Sequence, residues 1–170
     1  MLHDWWLNNF MQQAIFAAGM FYGLQQYLDQ VPGVTGTTVG YTGGTTEDPT
    51  YEEVCTHTTG HAEAVLLEFD ASKVSYETLT RHFFRLHDPT QLNRQGPDVG
   101  DSYRSAIFYV TDEQKTVAEK VMAELVSNYK QPIVTEITMA GPFYRAEDYH
   151  QKFAERTGRG MCHVDYAPIG

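Results

Sequence analysis

The hydrophobic positions of this sequence switch between the two-residue period of strands and the longer period of helices. Short apolar or β-branched runs predict strands at 13–18, 35–41, 63–70, 105–110 and 133–138. Apolar residues spaced three or four apart after a capping residue predict helices at 75–86 and 111–127. Helices at 22–30 and 147–157 are predicted from their stop signals, Val31-Pro32-Gly33 and Gly158. Strands and helices that alternate in this way indicate an α/β (α+β) domain built around a central sheet.

Two long polar segments, 45–60 and 87–103, interrupt this pattern. Long loops in compact domains are often functional, and both segments flank predicted strands, so we expect them to open at one edge of the sheet. They hold carboxylates, tyrosines and histidines. A carboxyl group kept beside tyrosine hydroxyls can have a raised pKa and serve as a general acid. Loops are polar in most proteins, however, so composition alone assigns no role to any single residue.

Length and charge narrow the classes of function. The chain has 170 residues, enough for one domain, and its formal charge is 12 − 22 = −10. An acidic surface repels phosphate backbones and anionic membranes, so we expect no nucleic-acid and no membrane partner. Neither a transmembrane run nor a signal peptide is apparent, and two cysteines do not make a disulfide scaffold, so we expect a cytoplasmic protein. No zinc-type ligand spacing is present, and we expect no metal and no cofactor.

Four runs carry a resemblance to a known family. They are VPGVTGTTVGYTGGTTEDPTYEEVCTHTTGHAEAV at 31–65, HDPTQLNRQGPDVGDSYRSAIF at 87–108, PIVTEI at 132–137 and GPFYRAEDYHQKF at 141–153. Together they resemble the peptide methionine sulfoxide reductase A family over about residues 13–163. The resemblance implies a two-layer α/β sandwich with a ferredoxin-like core. We therefore divide the chain into an N-terminal extension (1–12), a reductase-like domain (13–157) and a C-terminal tail (158–170).

The resemblance also implies a site. In the family, a cysteine of a GCFWG motif attacks the sulfur of methionine sulfoxide, and an acid in GHAEA acts on the sulfoxide oxygen. The GHAEA acid corresponds to Glu63, and the polar wall of the pocket corresponds to Tyr51, Asp98 and Tyr103. Cys162 resembles a resolving cysteine, which in the family forms a disulfide that thioredoxin reduces.

The nucleophile position departs from the family motif, because this chain reads Gly19-Met20-Phe21-Tyr22-Gly23. A thioether has no proton to lose and cannot become the attacking thiolate. We therefore expect no reduction by the family mechanism and regard thioredoxin as an unlikely partner. Met20, Phe21 and Tyr22 would then line a remade pocket. His61 is placed with them, although a histidine here is more often a hydrogen-bonded structural residue.

Several hypotheses follow. We favour a repurposed, cofactor-free enzyme that performs non-redox acid–base chemistry on a small polar substrate in biosynthesis: a condensation, cyclisation, isomerisation or elimination. Its catalytic residues would be Glu63, Tyr51, Asp98 and Tyr103. A second hypothesis is a binder of methyl sulfoxide or methionine sulfoxide without turnover. The third is a reductase, either because Met20 is an engineered change or because Cys162, rather than Cys55, replaces the missing thiol. The polar residues are also compatible with a buried hydrogen-bond network that binds no substrate.

Overall fold

The computed structural model describes residues 10–169 and contains a six-stranded sheet and a separate two-stranded hairpin. The strands are β1 (Met11–Ala17), β2 (Val34–Thr42), β3 (Ala62–Asp70), β4 (Arg94–Gln95), β5 (Asp98–Val99), β6 (Ala106–Tyr109), β7 (Glu136–Met139) and β8 (Phe143–Arg145). The large sheet has the order β7-β6-β1-β3-β2-β8, and β4 pairs with β5. Within the large sheet only β6 and β7 are parallel.

Five α-helices accompany the sheet. They are α1 (Phe21–Leu28), α2 (Tyr51–Cys55), α3 (Tyr76–Arg85), α4 (Asp112–Leu125) and α5 (Phe153–Thr157). Ser75 and Thr111 accept hydrogen bonds at the starts of α3 and α4, as their positions predict. No helix within 10–169 combines the length and the apolar character needed to cross a bilayer.

The core lies mainly on one face of the sheet. Ala14 and Phe16 of β1 join the larger apolar cluster, which also contains residues of α1, α3 and α4. Ile15 and Ala17 point to the opposite face and join a smaller cluster. This alternation follows from the two-residue period of a strand. The predicted α/β architecture around a central sheet is confirmed.

The predicted helix at 147–157 is wrong in its extent. A 3₁₀ turn covers Asp148–His150, and α5 begins only at Phe153, because Lys152 between them has φ +56°. The Lys152 backbone N–H donates to Gln25 Oε1 at 2.8 Å, and its Nζ lies 2.7 Å from Asp29 Oδ2. These contacts with α1 and the residue after it hold a left-handed conformation that helical periodicity could not reveal.

Residues 158–169, predicted as a tail, lie against α1 and α3. The Cys162 backbone N–H donates to Gln26 Oε1 at 3.2 Å. The Tyr166 ring packs against both Tyr27 and His82, with centroid distances of 5.7 and 5.5 Å. The proposed boundary at 157/158 stays a prediction, as does the boundary of the extension, since residues 1–9 lie outside the described part and β1 already begins at Met11.

Candidate functional site

The site is built around the turn between β1 and α1. Gly19 has φ +67°, a conformation that favours glycine, and its N–H donates to the Tyr103 carbonyl at 3.2 Å. Met20 follows as the N-cap residue of α1, without a side-chain capping bond. The turn that carries Met20 is therefore joined directly to the second polar segment.

Glu63 is the buried acid of this region. Its side chain, on β3, accepts a hydrogen bond from the Phe21 N–H at 3.1 Å, and the residue is only 3 % exposed. Burial raises the pKa of Glu63 to about 8; the Phe21 hydrogen bond opposes this rise and the charge of Asp98 adds to it. The carboxyl group is therefore mostly protonated at neutral pH and can donate a hydrogen bond.

Three tyrosines of the candidate site have a pKa that the charge of Glu63 helps to raise. Burial, followed by the Glu63 charge, raises the pKa of Tyr22 and that of Tyr103 to about 12. Burial, a hydrogen bond with Cys55 and the Glu63 charge also raise the pKa of Tyr51. All three therefore remain hydroxyl groups throughout the physiological range. The structure thus brings together Glu63, Asp98, Tyr51 and Tyr103, the four residues predicted to form the polar part of the site.

Phe21 and Tyr22 form an apolar wall beside these hydroxyls. Phe21 is fully buried, and its ring centroid lies 5.2 Å from that of Tyr22. Tyr22 is half-buried and stacks on Phe153 at 4.2 Å, while its hydroxyl is hydrogen-bonded to His150 Nδ1. The half-buried Tyr22 ring, packed against Phe21, therefore offers surface for an apolar group, and the Tyr22 hydroxyl is already hydrogen-bonded.

Met20 and Cys162 share a cavity of about 190 Å³, which Asp98 also lines. The Cys162 backbone lies against Gly23, where an added Cβ would come within 3.1 Å of the Cys162 Cα. The Cys162 thiol donates to the Leu86 carbonyl at 3.7 Å, and burial raises its pKa. Cys162 thus lies next to the position where the family resemblance places the nucleophile, but as a protonated thiol in this arrangement.

His61 does not belong with the substrate-binding residues. Its Nδ1 accepts from the Gly44 N–H at 3.0 Å, and its Nε2 bonds the Thr46 carbonyl at 2.7 Å. Both ring nitrogens are therefore used to hold the loop after β2, and none is left for a ligand. These contacts fit a hydrogen-bonded structural histidine better than a substrate-binding one.

Sequence reasoning missed two residues next to the site, Glu147 and His150. Glu147 accepts hydrogen bonds from the Tyr41 and Tyr149 hydroxyls at 3.1 and 3.2 Å. His150, 1 % exposed, contacts Tyr22 across 128 positions of sequence. Both occur in the run at 141–153, within the stretch 147–157 that helical periodicity predicts as a helix, and that pattern does not place them beside the site. Within residues 10–169 no group of three or more His, Cys, Asp or Glu side chains is arranged to hold a metal ion.

Comparison with known proteins identifies the family. A family model described as "Peptide methionine sulfoxide reductase" matches residues 12–169. The chain belongs to the peptide methionine sulfoxide reductase family. It is 55 % identical over 142 residues to "Peptide methionine sulfoxide reductase MsrA" of Pasteurella multocida, covering 84 % of this chain and 82 % of that protein. It is 53 % identical to the MsrA of Methanosarcina acetivorans, covering 87 % and 80 %.

Solved structures of this family share the fold. Mxr1 from Saccharomyces cerevisiae in reduced form matches with a TM-score of 0.86 and 30 % identity, over 94 % of this chain and 93 % of that one. Mxr1 in complex with Trx2 matches with a TM-score of 0.64 and 22 % identity, over 92 % and 91 %. The expectation that thioredoxin is an unlikely partner is wrong in the light of this complex, in which a protein of the same fold is bound to a thioredoxin.

Proposed function

We propose that this protein is a methionine sulfoxide reductase in which protonated Glu63 donates a hydrogen bond to the sulfoxide oxygen. The observation that carries the proposal is the burial of Glu63, which raises its pKa to about 8. A neutral carboxyl group is both a hydrogen-bond donor and a proton source for the oxygen that leaves. The naming of the relatives as methionine sulfoxide reductases supports the same substrate class.

The surrounding residues fit a methyl sulfoxide. Tyr51 and Tyr103 supply neutral hydroxyls beside Glu63, which suits a polar S–O group. Tyr22, whose ring packs against the buried Phe21 ring, supplies ring surface, which suits the S-methyl group. Under this proposal Glu63, Tyr51, Asp98 and Tyr103 form the polar half of the pocket, whereas Met20, Phe21 and Tyr22 form its apolar half.

Reduction needs a thiol, which Met20 cannot provide, and we assign that role to Cys162 because it lines one cavity with Met20 and Asp98. The sulfoxide S–O bond breaks, the oxygen is transferred to the Cys162 sulfur as a sulfenic acid, and the thioether leaves. A second thiol condenses with the sulfenic acid, which releases water and forms a mixed disulfide. A third thiol frees Cys162, so two thiols of the reductant become one disulfide. The dithiol of a thioredoxin suits this reductant, by analogy with the Mxr1–Trx2 complex.

The test is reduction of an N-acetylated methionine sulfoxide peptide, with dithiothreitol or with a thioredoxin system as the reductant. We expect activity in the unmodified protein and its loss in Cys162→Ser. Glu63→Gln should lower activity by about 100-fold or more, because it cannot give up a proton. Cys55→Ser is the matched thiol control; loss of activity there, rather than in Cys162→Ser, would move the assignment to Cys55.

A second candidate, non-redox acid–base chemistry through Glu63, is favoured by one observation. Met20 occupies the nucleophile position, and the only thiol lining its cavity within the described residues is Cys162, whose pKa is raised. If the unmodified protein is silent while Met20→Cys is active, the pocket is intact and Cys162 is not a nucleophile. Calorimetry with the same peptide then distinguishes a sulfoxide binder, which gives heat, from an enzyme for another substrate, which gives none.

A further inference from the structure

Three polar side chains contact one another in a row that starts in the apolar wall: Tyr22, then His150, then Glu147. The Tyr22 hydroxyl is hydrogen-bonded to His150 Nδ1, and His150 Nε2 lies 3.6 Å from Glu147 Oε2. Nε2 is fully buried and has no hydrogen-bond partner. His150 therefore joins a residue of the site to a carboxylate on the far side of the wall.

The contacts of Glu147 determine which atom donates in the hydrogen bond between Tyr22 and His150. Burial would raise the pKa of Glu147, but hydrogen bonds from its own backbone and from Tyr41 and Tyr149 outweigh it, so the pKa is lowered. An ionised carboxylate only accepts hydrogen bonds, so the favourable tautomer of His150 carries its proton on Nε2. Nδ1 is then bare and accepts the hydrogen of the Tyr22 hydroxyl.

The packing fixes both rings in this arrangement. His150 is enclosed by Tyr149, Tyr51 and Phe21, with centroid distances of 4.0, 4.4 and 5.4 Å. Burial also lowers the pKa of His150, against the opposing charges of Glu147 and Glu52, so the ring is neutral and its Nδ1 is free to accept. Tyr22 is held from the other side by its stacking on Phe153.

We propose that His150 is a positioning residue for the sulfoxide pocket, which acts by holding the Tyr22 hydroxyl away from Glu63 and Tyr51. This inference rests on the proposed function. A tyrosine in an apolar wall carries a hydroxyl that would otherwise turn toward those polar groups and compete with the sulfoxide oxygen for them. With His150 as acceptor, the hydroxyl is satisfied and the ring face remains available to the S-methyl group. His150 should thus act on substrate affinity and not on proton donation.

A double-mutant cycle on binding tests this role, with N-acetyl-methionine sulfoxide methylamide as the ligand in calorimetry. His150→Phe keeps a ring but removes the acceptor, and we expect it to weaken binding about tenfold, the effect of one lost hydrogen bond. In a Tyr22→Phe background the hydroxyl is absent, so His150→Phe should then change affinity by less than about twofold. His150→Asn, which places an acceptor near the Nδ1 position, should restore most of the affinity.

Three results would overturn the proposal. One is an equal loss of affinity from His150→Phe in both backgrounds, which would indicate a purely structural histidine. Another is failure of His150→Asn to bind better than His150→Phe although both fold, as judged by thermal unfolding. The last is a change in kcat with unchanged KM in the reduction assay. Tyr109→Phe, on a partly exposed ring of β6, is the control for loss of a tyrosine hydroxyl.

Histidine ¹⁵N NMR on the free protein separates this inference from the proposed function. We expect His150 to be the Nε2–H tautomer, with an Nδ1 shift that changes in Tyr22→Phe. An Nδ1–H tautomer would contradict the inferred hydrogen bond, in which the Tyr22 hydroxyl donates to His150 Nδ1. If the tautomer is as expected but the unmodified protein gives no heat with the sulfoxide, the proposed function fails, and the role of His150 toward that ligand fails with it.

Discussion

The Glu63 carboxyl group is surrounded by packed side chains, so its ionised form carries a desolvation penalty. Its pKa is 4.5 in an exposed reference state and about 8 in the fold. Between these values the folded chain holds a proton that the unfolded chain has lost. The contribution of Glu63 to the free energy of unfolding therefore decreases as pH rises through this window, and the penalty is complete above about pH 8.

Replacing Glu63 by Gln removes this penalty. We expect the free energy of unfolding of Glu63→Gln, relative to the unmodified protein, to increase by on the order of 3 kcal/mol between about pH 5 and pH 8.5. Urea unfolding at both pH values measures it. Glu68→Gln, on the exposed side of the same strand, is the matched control. A difference that does not vary with pH would show that Glu63 is ionised in the fold.

Protonation of Glu63 also sets the pH dependence of ligand binding. If the neutral acid donates to the sulfoxide oxygen, the Kd for a methionine sulfoxide peptide should rise about tenfold between about pH 7 and pH 9. Calorimetry at several pH values measures this rise. In Glu63→Gln the Kd should be higher and should not change with pH over the same range. A Kd that still depends on pH in that variant would point to another titrating group.

At the scale of elements, α1 and the segment 158–169 depend on one another. Gly23 on α1 leaves room for the Cys162 backbone, and a Cβ there would meet Cys162 N and Cα at 3.1 Å and the Gly160 carbonyl at 3.2 Å. We expect Gly23→Ala to push this segment outward and to expose Cys162. The rate of Cys162 labelling by a thiol reagent in a Cys55→Ser background should rise at least about tenfold if local opening becomes easier by about 1.4 kcal/mol.

An unchanged labelling rate in Gly23→Ala would mean that the segment 158–169 moves by only a few tenths of an ångström to accommodate the new Cβ and still covers Cys162. Gly141→Ala is the control, since an added Cβ there meets nothing within 4 Å. Because alanine favours a helix interior over glycine by about 1 kcal/mol, the global free energy of unfolding should change little while labelling rises. The two measurements together separate local displacement from general destabilisation.

The elements also show which part of the fold could be predicted from sequence. β3 and α4 follow from periodicity and capping, because their positions are decided by residues within each element. β8 has three residues and forms by pairing with β2, so no local sequence pattern predicts it. The break at Lys152 depends on Gln25 and Asp29, which are distant in sequence.

The same division applies to the site. The resemblance supplied Glu63 and its tyrosine neighbours, whereas residue types alone left them among many polar loop residues. The burial of Glu63, which determines its protonation, depends on packing and is visible only in three dimensions. The sequence could not predict the contacts of His61, because both ring nitrogens bond backbone groups of a loop whose position depends on the fold.

At the scale of the whole molecule, the formal charge of −10 is the dominant electrostatic feature. The ion pairs of the described residues, such as Arg81–Glu124 and Lys120–Glu77, are partly exposed, and pairs of this kind contribute little. Net repulsion among carboxylates should therefore outweigh them, and salt should screen it.

We expect the thermal midpoint to rise by about 3 °C between low salt and about 0.3 M NaCl, because the Debye length shortens to a few ångströms over this range. Differential scanning calorimetry measures the midpoint. Glu119→Lys on the exposed face of α4 changes the net charge from −10 to about −8 and should diminish the salt effect. A midpoint that falls with salt would mean that attractive pairs dominate.

The contact between Gly23 and Cys162 has a consequence for how the chain is made. A ribosome delivers β1, Met20 and α1 before the other strands of the sheet, and Cys162 emerges only after all eight strands. A nascent chain can therefore complete its sheet while the cavity beside Met20 still lacks one side. Sulfoxide chemistry that depends on Cys162 must wait for this last segment to arrive, so a chain arrested before it would lack the thiol beside Met20.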